Sequence, residues 1–376
     1  MHSNDRWFLL AIISQILISL FALSAFAQEA VPGTPLTSQE LVRLVYQLPK
    51  HPEQLDEIVD AIRKRGIGFP LTDGMRSLVA TKSGSDALLR RTLEEAERRR
   101  ANPKSETLPS ETEANDLLAL TKTITLGAAG AMPDFIVRQL IKRSVAYGNT
   151  ANWLPQDTLT IAVSYHQPSG EEYKLLTVNG MPPSRDAKAG SEYGDYVGGA
   201  SSTGEYVTGL ANLFKDEAHA TFKMVDTDVL RGQRTIVYEY EVQLPYSSLT
   251  LRAGKSVVAT VGSRGRVWID REQDRVLRFE QIATEIPADF PIRAASATID
   301  YDWVKINERP YLLPSHADIL ITSLYKDRQL EQSRNDIRFR GYQKFGAELK
   351  IIDEVDEEPP PEKPTQSNKP KKPDQP

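Results

Sequence analysis

The stretch GRVWIDREQDRVLRFE, residues 265–280, decides how the chain is read. It sets four acidic and four basic residues around Trp268, which suits either a charged active site or a plain β-hairpin. Register separates the two. With Ile269 opposite Leu277 and Val267 opposite Phe279, residues 271–275 form the loop and one face is wholly apolar. The other face then sets Trp268 against Arg278, a cation–π geometry, and Arg266 against Glu280, an opposite-charge pair. A slip of one residue would place Val267 against Arg278 and spoil both faces. The stretch is therefore expected to be a hairpin with a solvated polar face, with Asp270 to Asp274 as turn material. Asp270 and Glu280 fall at opposite ends of the strands, which suits no acid–base pair.

The same period of two extends outward, from about residue 132 to 352. In TLTIAVSYH, Leu159, Ile161, Val163 and Tyr165 share one face, and Thr158, Thr160, Ser164 and His166 the other. QRTIVYEYEVQL (233–244), AGKSVVATVG (253–262), ASATIDYDWVKIN (295–307) and NDIRFRGYQKF (335–345) behave alike, and Gly341 is a candidate bulge before Tyr342. Many strands with few helices between them imply an antiparallel, half-buried sheet and an α+β class, not repeated βαβ units. One helix interrupts them. In SSTGEYVTGLANLFKD, Ser202 and Glu205 form a capping box, and Tyr206, Val207, Leu210, Leu213 and Phe214 make one apolar stripe. That stripe must cover an apolar surface. The helix 202–216 is expected to plug the concave face of the sheet, with Tyr206, Leu210, Leu213 and Phe214 as candidate ligand-binding residues.

Upstream, the pattern is helical over residues 36–101. Thr37 and Glu40 form a capping box before the stripe Leu41, Leu44, Val45, Leu48, and Gly66 closes a second helix carrying Leu55, Ile58, Val59 and Ile62. Two further helices complete a small all-α bundle, expected to dock on the sheet or on a partner. Residues 102–131 read as a polar linker with a connecting helix over 115–126, ended by GAAG. Charges in RRTLEEAERRR are expected to be solvated, with pairs Glu94–Arg98 and Glu95–Arg99; contact with anionic lipid headgroups is the alternative.

Residues 1–27 read as a signal peptide, with cleavage before Gln28 after Ala25-Phe26-Ala27. The destination is the periplasm or the exterior; the alternative is an inner-membrane anchor formed by an uncleaved leader. Residues 353–376 are acidic, then Pro- and Lys-rich, with nothing apolar to bury.

Composition excludes several chemistries. The chain has no cysteine, so thiol nucleophiles, iron–sulfur clusters and thiolate zinc sites are ruled out. A net charge of −5 gives no general reason to bind nucleic acid. No two histidines stand at helical spacing, and no metal or other cofactor is expected. The glycine-rich loop 194–206 fits neither a phosphate-binding nor a nucleophile-elbow pattern. No catalytic residue is assigned.

The phrases SGEEYKLLTVNG (169–180), GRVWIDREQDRVLRFE and YLLPSHADILI (311–321) resemble those of periplasmic lipoprotein carriers, their outer-membrane receptors, related envelope-stress sensor domains, and bacterial envelope proteins built on the same plan. The resemblance spans residues 132–352. It implies an unclosed β-barrel of about ten or eleven strands, helices in its mouth, and an apolar cavity for acyl chains. The expected function is a non-enzymatic envelope protein that binds a lipid or lipoprotein acyl chain. The alternatives are an interaction or sensing module whose residues 36–101 bind a partner protein and whose core is filled, or a hydrolase.

Overall fold

The computed structural model describes residues 34–345, apart from 85, 102–107, 149–151, 168–169, 184–207, 255–256 and 325–328. Its centre is one ten-stranded antiparallel sheet. In chain order the strands are β1 (Phe135–Tyr147), β2 (Leu154–His166), β3 (Gly170–Val178), β4 (Thr221–Leu230), β5 (Gln233–Val242), β8 (Gly262–Asp270), β9 (Val276–Thr284), β10 (Ile292–Ile306), β11 (Arg309–Leu324) and β12 (Leu330–Lys344). Their spatial order is β3-β2-β1-β12-β11-β10-β9-β8-β5-β4. The first strand pairs with the last, while β3 and β4, neighbours in sequence, lie at the two edges. The sheet is thus not closed into a barrel, and residues 179–220 link one edge to the other. The phrase 253–262, expected to be one strand, instead turns at Gly254. It contributes to a separate hairpin of β6 (Thr250–Ala253) and β7 (Val257–Thr260).

The central hairpin keeps the expected register over Val267–Phe279, Trp268–Arg278 and Arg266–Glu280, but Ile269 pairs with Val276, not Leu277. The extra residue turns Leu277 onto the face of Trp268, where it joins Leu230 and Val237. Arg278 lies over the Trp268 ring, 5.7 Å from its centroid. Gly341, at φ +67°, sits where the β1–β12 register shifts between Ile136–Gln343 and Arg138–Arg340, the bulge its sequence suggests.

Among the described residues the N-terminal bundle consists of α1 (Ser38–Gln47), α2 (Leu55–Arg65), α3 (Asp73–Ser83) and α4 (Ala87–Ala101). Thr37 caps α1 by accepting the Glu40 N–H at 3.2 Å. Leu41, Val45, Ile58, Val59, Ile62, Leu89 and Leu93 close a core of their own. The next helix, α5 (Glu111–Gly130), is longer than the spacing suggests. Ser110 caps it, so residues 111–114 of the supposed linker are helical, and GAAG lies inside it.

Around the central hairpin the polar face of the sheet is not wet. The bundle sits on it. Trp268, Asp270 and Glu280 are 1–3% exposed. On α4, Arg91, Glu95, Arg98 and Arg99 stand at i, i+4, i+7 and i+8, one side of a helix. They pair with Asp318 (2.8 Å), Arg278 (3.3 Å), Asp228 (3.1 Å) and Asp226 of the sheet. Arg63 of α2 holds Glu280 through both carboxylate oxygens at 2.9 and 3.0 Å. The expected pairs within α4 do not form, and Glu94 instead binds Arg76. Arg266 pairs with Glu239 rather than with Glu280 opposite. The Trp268 indole N–H donates to Asp228 at 3.1 Å.

His316 completes this layer, with Nε2 3.3 Å from Asp336 and Nδ1 3.8 Å from Asp300. Burial opposes its charge, but the hydrogen bonds and charges of the two carboxylates push it up to about 9. Burial likewise opposes the charge on Asp300, Asp318 and Asp336. His316 and Arg278 hold Asp300 below the usual range, Arg91 and Arg334 hold Asp318, and His316 with Arg334 and Arg338 holds Asp336. Because His316 is raised on folding, its contribution is complete below its unfolded value of 6.5 and is lost as pH rises through about 9. The carboxylate contributions are lost only in acid. The unfolding free energy should therefore fall by on the order of 1 kcal/mol from pH 6.5 to about 9.5, a figure discounted for the ring's partial exposure. Urea titrations of wild type and His316→Gln should show that decline in the first and little of it in the second. An equal decline in both would contradict the assignment.

Candidate functional site

The other face of the sheet, the inner face, carries the main core. Alternation places Phe135, Val137 and Ile141 of β1, Leu159, Ile161 and Val163 of β2, and Ile337 and Phe339 of β12 on it, all 0–3% exposed. Two helices cover it. Ala114, Leu117 and Thr121 of α5 face inward, and the Tyr238 hydroxyl donates to the Ala114 carbonyl at 2.7 Å. Arg271 beyond β8 pairs with Glu113. These two ties pin α5.

The second cover is α6 (Thr208–Phe214), the described part of the expected plug. Leu210, Leu213 and Phe214 are 7%, 5% and 2% exposed and join the core, so three of the four candidate residues come together. Tyr206, the Ser202 cap and the loop 194–206 lie outside the described residues. Among the described residues no hydrogen bond or ion pair joins α6 to the sheet; Lys215 just beyond it bonds back to Ala211 and Asn212.

Phe214 opens a row of rings across the face. Its centroid is 5.8 Å from Phe222, which is 6.2 Å from Tyr240, which is 5.7 Å from Phe279. Tyr240 lies directly opposite Gly265, with ring carbon Cε1 3.0 Å from where a Cβ would stand. That Cβ would also lie 1.9 Å from the Glu280 carbonyl oxygen, to which the Tyr240 hydroxyl donates at 3.0 Å. Burial pushes the Tyr240 phenol well above its ordinary range. The glycine that opens the central hairpin thus lets an aromatic ring lie flat on the strand.

The inner face is not wholly apolar. Gln139, Arg143 and Asn335 are buried on it, and Arg143 binds Asp157 at 2.5–2.6 Å. Strand alternation through FIVRQLIKR signals this, since Gln139 and Arg143 share parity with Phe135 and Ile141. Lys122 of α5 also points here, its Nζ 4.5 Å from the Phe222 ring centroid. Among the described residues no cluster of three or more His, Asp or Glu side chains is arranged to hold a metal ion. A cavity of about 30 Å³ lies at the contact of bundle and sheet, lined by Asp86, Arg91, Trp153, Asp318 and Arg334, and has room for water only.

No family model matches the chain, and no curated protein does. Three solved structures are similar. A DUF1329 family protein from Desulfovibrio piger is 9% identical, with 62% of this chain and 94% of that one covered, at a TM-score of 0.29. A putative outer membrane lipoprotein-sorting protein domain from Vibrio parahaemolyticus is 12% identical, with 61% and 94% covered, at 0.23. The MucA/MucB complex of Pseudomonas aeruginosa gives 9% identity, 60% and 98% covered, at 0.17. Likenesses of this strength leave the function to be argued from the residues.

Gly265→Ala should destabilise the protein by about 2–3 kcal/mol, because the methyl has no room against the Glu280 carbonyl. Urea denaturation measures the loss, and near-ultraviolet circular dichroism should report the displaced Tyr240. A change within about 0.5 kcal/mol, the usual range at an unconstrained surface position, would contradict the packing described.

Proposed function

We propose that this is an exported, non-enzymatic envelope protein that takes an acyl chain, presented by a lipid or a lipoprotein, against the inner face of its half-barrel. Helix α6 moves aside to admit it. The observation that carries this reading is the unequal attachment of the two coverings. Five ion pairs bind the bundle to the outer face. Helix α6 is held by apolar contacts, which an acyl chain can replace one for one. The apolar leader at residues 1–27 supports export to the compartment where such a cargo is met.

The alternative gives residues 36–101 to a partner protein. Their most basic helix already spends Arg91, Arg98 and Arg99 on the sheet, which leaves less for a partner or for lipid headgroups. The acyl-chain reading is favoured on that ground.

Its test is native mass spectrometry of protein expressed with its leader and recovered from the periplasm. The expected result is a mass consistent with cleavage before Gln28 and about one acyl-chain species per protein. In Leu210→Asp/Phe214→Asp the sheet should stay folded, since its strands pair without α6, and the bound species should be lost. Protein that is bare, and stays bare after incubation with envelope-lipid vesicles, contradicts the reading.

A further inference from the structure

Lys122 is set where a surface lysine would not be. Leu118 and Leu126 of α5, at i−4 and i+4 from it, both pack against the inner-face core, so Lys122 stands in the same row. Its ammonium lies over Phe222, which links Phe214 of the cover to Tyr240 of the sheet. Among the described residues it has no hydrogen bond and no ion pair. Burial pulls it below the ordinary lysine range, and the charge that offsets this is Asp216. Asp216 lies in the short turn that follows α6, two residues beyond Phe214. Any movement of α6 that uncovers the inner face therefore also acts on the carboxylate that steadies Lys122.

We propose that Lys122 is the head-group anchor of the inner face, pairing with the anionic oxygens of an amphiphile whose chain replaces α6. This rests on the acyl-chain reading above and narrows it. The cargo carries a carboxylate or a phosphate near the start of its chain. The aromatic floor holds the ammonium while the face is covered, through a cation–π contact. An arriving anion takes the place of Asp216 in partly desolvated surroundings, where a charged hydrogen bond is strongest. Opening and capture are coupled because one side chain serves both the closed state and the loaded one.

The test uses the full mature chain and three probes with one C18 chain: oleate, lysophosphatidate bearing an oleoyl chain, and uncharged oleyl alcohol. Displacement of a fluorescent acyl probe gives each affinity. Wild type should prefer an anion over the alcohol by about tenfold or more, the worth of one charged hydrogen bond. Lys122→Gln should lose that preference while binding the alcohol within about twofold of wild type, and Lys122→Arg should keep it. Whether oleate or lysophosphatidate gains more distinguishes a carboxylate head from a phosphate. As a second readout, the Lys122 side-chain resonance in NMR should titrate at higher pH with oleate bound, and not with the alcohol. An undiminished anion preference in Lys122→Gln overturns the anchor. Wild type that binds all three probes equally leaves the groove standing and also overturns it. Wild type that binds none removes the groove and the anchor together.

Discussion

The structure depends on a layer of charge with little water in it. Arg63, Arg91, Glu95, Arg98 and Arg99 descend from two helices onto Glu280, Asp318, Arg278, Asp228 and Asp226. Each of these groups would be costly to bury alone, and each is made tolerable by a partner on another element. Removing one member of such a pair leaves the other stranded, at about 3–5 kcal/mol. Not every group is at ease. Burial, and the like charge of Asp228, push Glu95 upward despite Arg278 and Arg63.

That layer divides the labour between the faces. The outer face is occupied around the central hairpin, and the sheet stays open, with β3 and β4 at its two edges. The inner face is then the surface left to change. Its coverings differ in kind: α5 is tied by Tyr238 and Arg271, whereas α6 rests on Leu210, Leu213 and Phe214. A sheet that had to hold both faces by exchangeable contacts would have no fixed reference against which a cover could open.

Much of this could be read in the sequence because strands and helices impose periods. Alternation in TLTIAVSYH placed Leu159, Ile161 and Val163 inward, and the spacing of Leu210, Leu213 and Phe214 placed a helix against the same core. What the periods conceal is the partner of a polar face. Arg91, Glu95, Arg98 and Arg99 lie on one side of α4, and Trp268, Arg278 and Glu280 on one side of a hairpin. Each pattern alone matches a solvated surface. Only their mutual complementarity, over a separation of more than a hundred residues, makes both dry, and no local pattern encodes that. The bulge that turns Leu277 outward escaped for a related reason. Val276 and Leu277 are equally apolar, and the choice between them is made by Trp268 and Val237. Lys122 is masked by being a lysine on a helix, which by itself suggests water.

The central claim is that one covering is fixed and the other is exchangeable. Hydrogen exchange of the intact chain, followed by mass spectrometry at mildly acidic pH, tests it most directly. The account predicts that amides of 208–214 exchange through local opening, orders of magnitude faster than those of α4 at 91–99 and of β8 and β9. Added oleate should change exchange at 208–214 and leave the bundle unaltered. Exchange of α6 only with the sheet, or a bundle that opens as readily as α6, would contradict it.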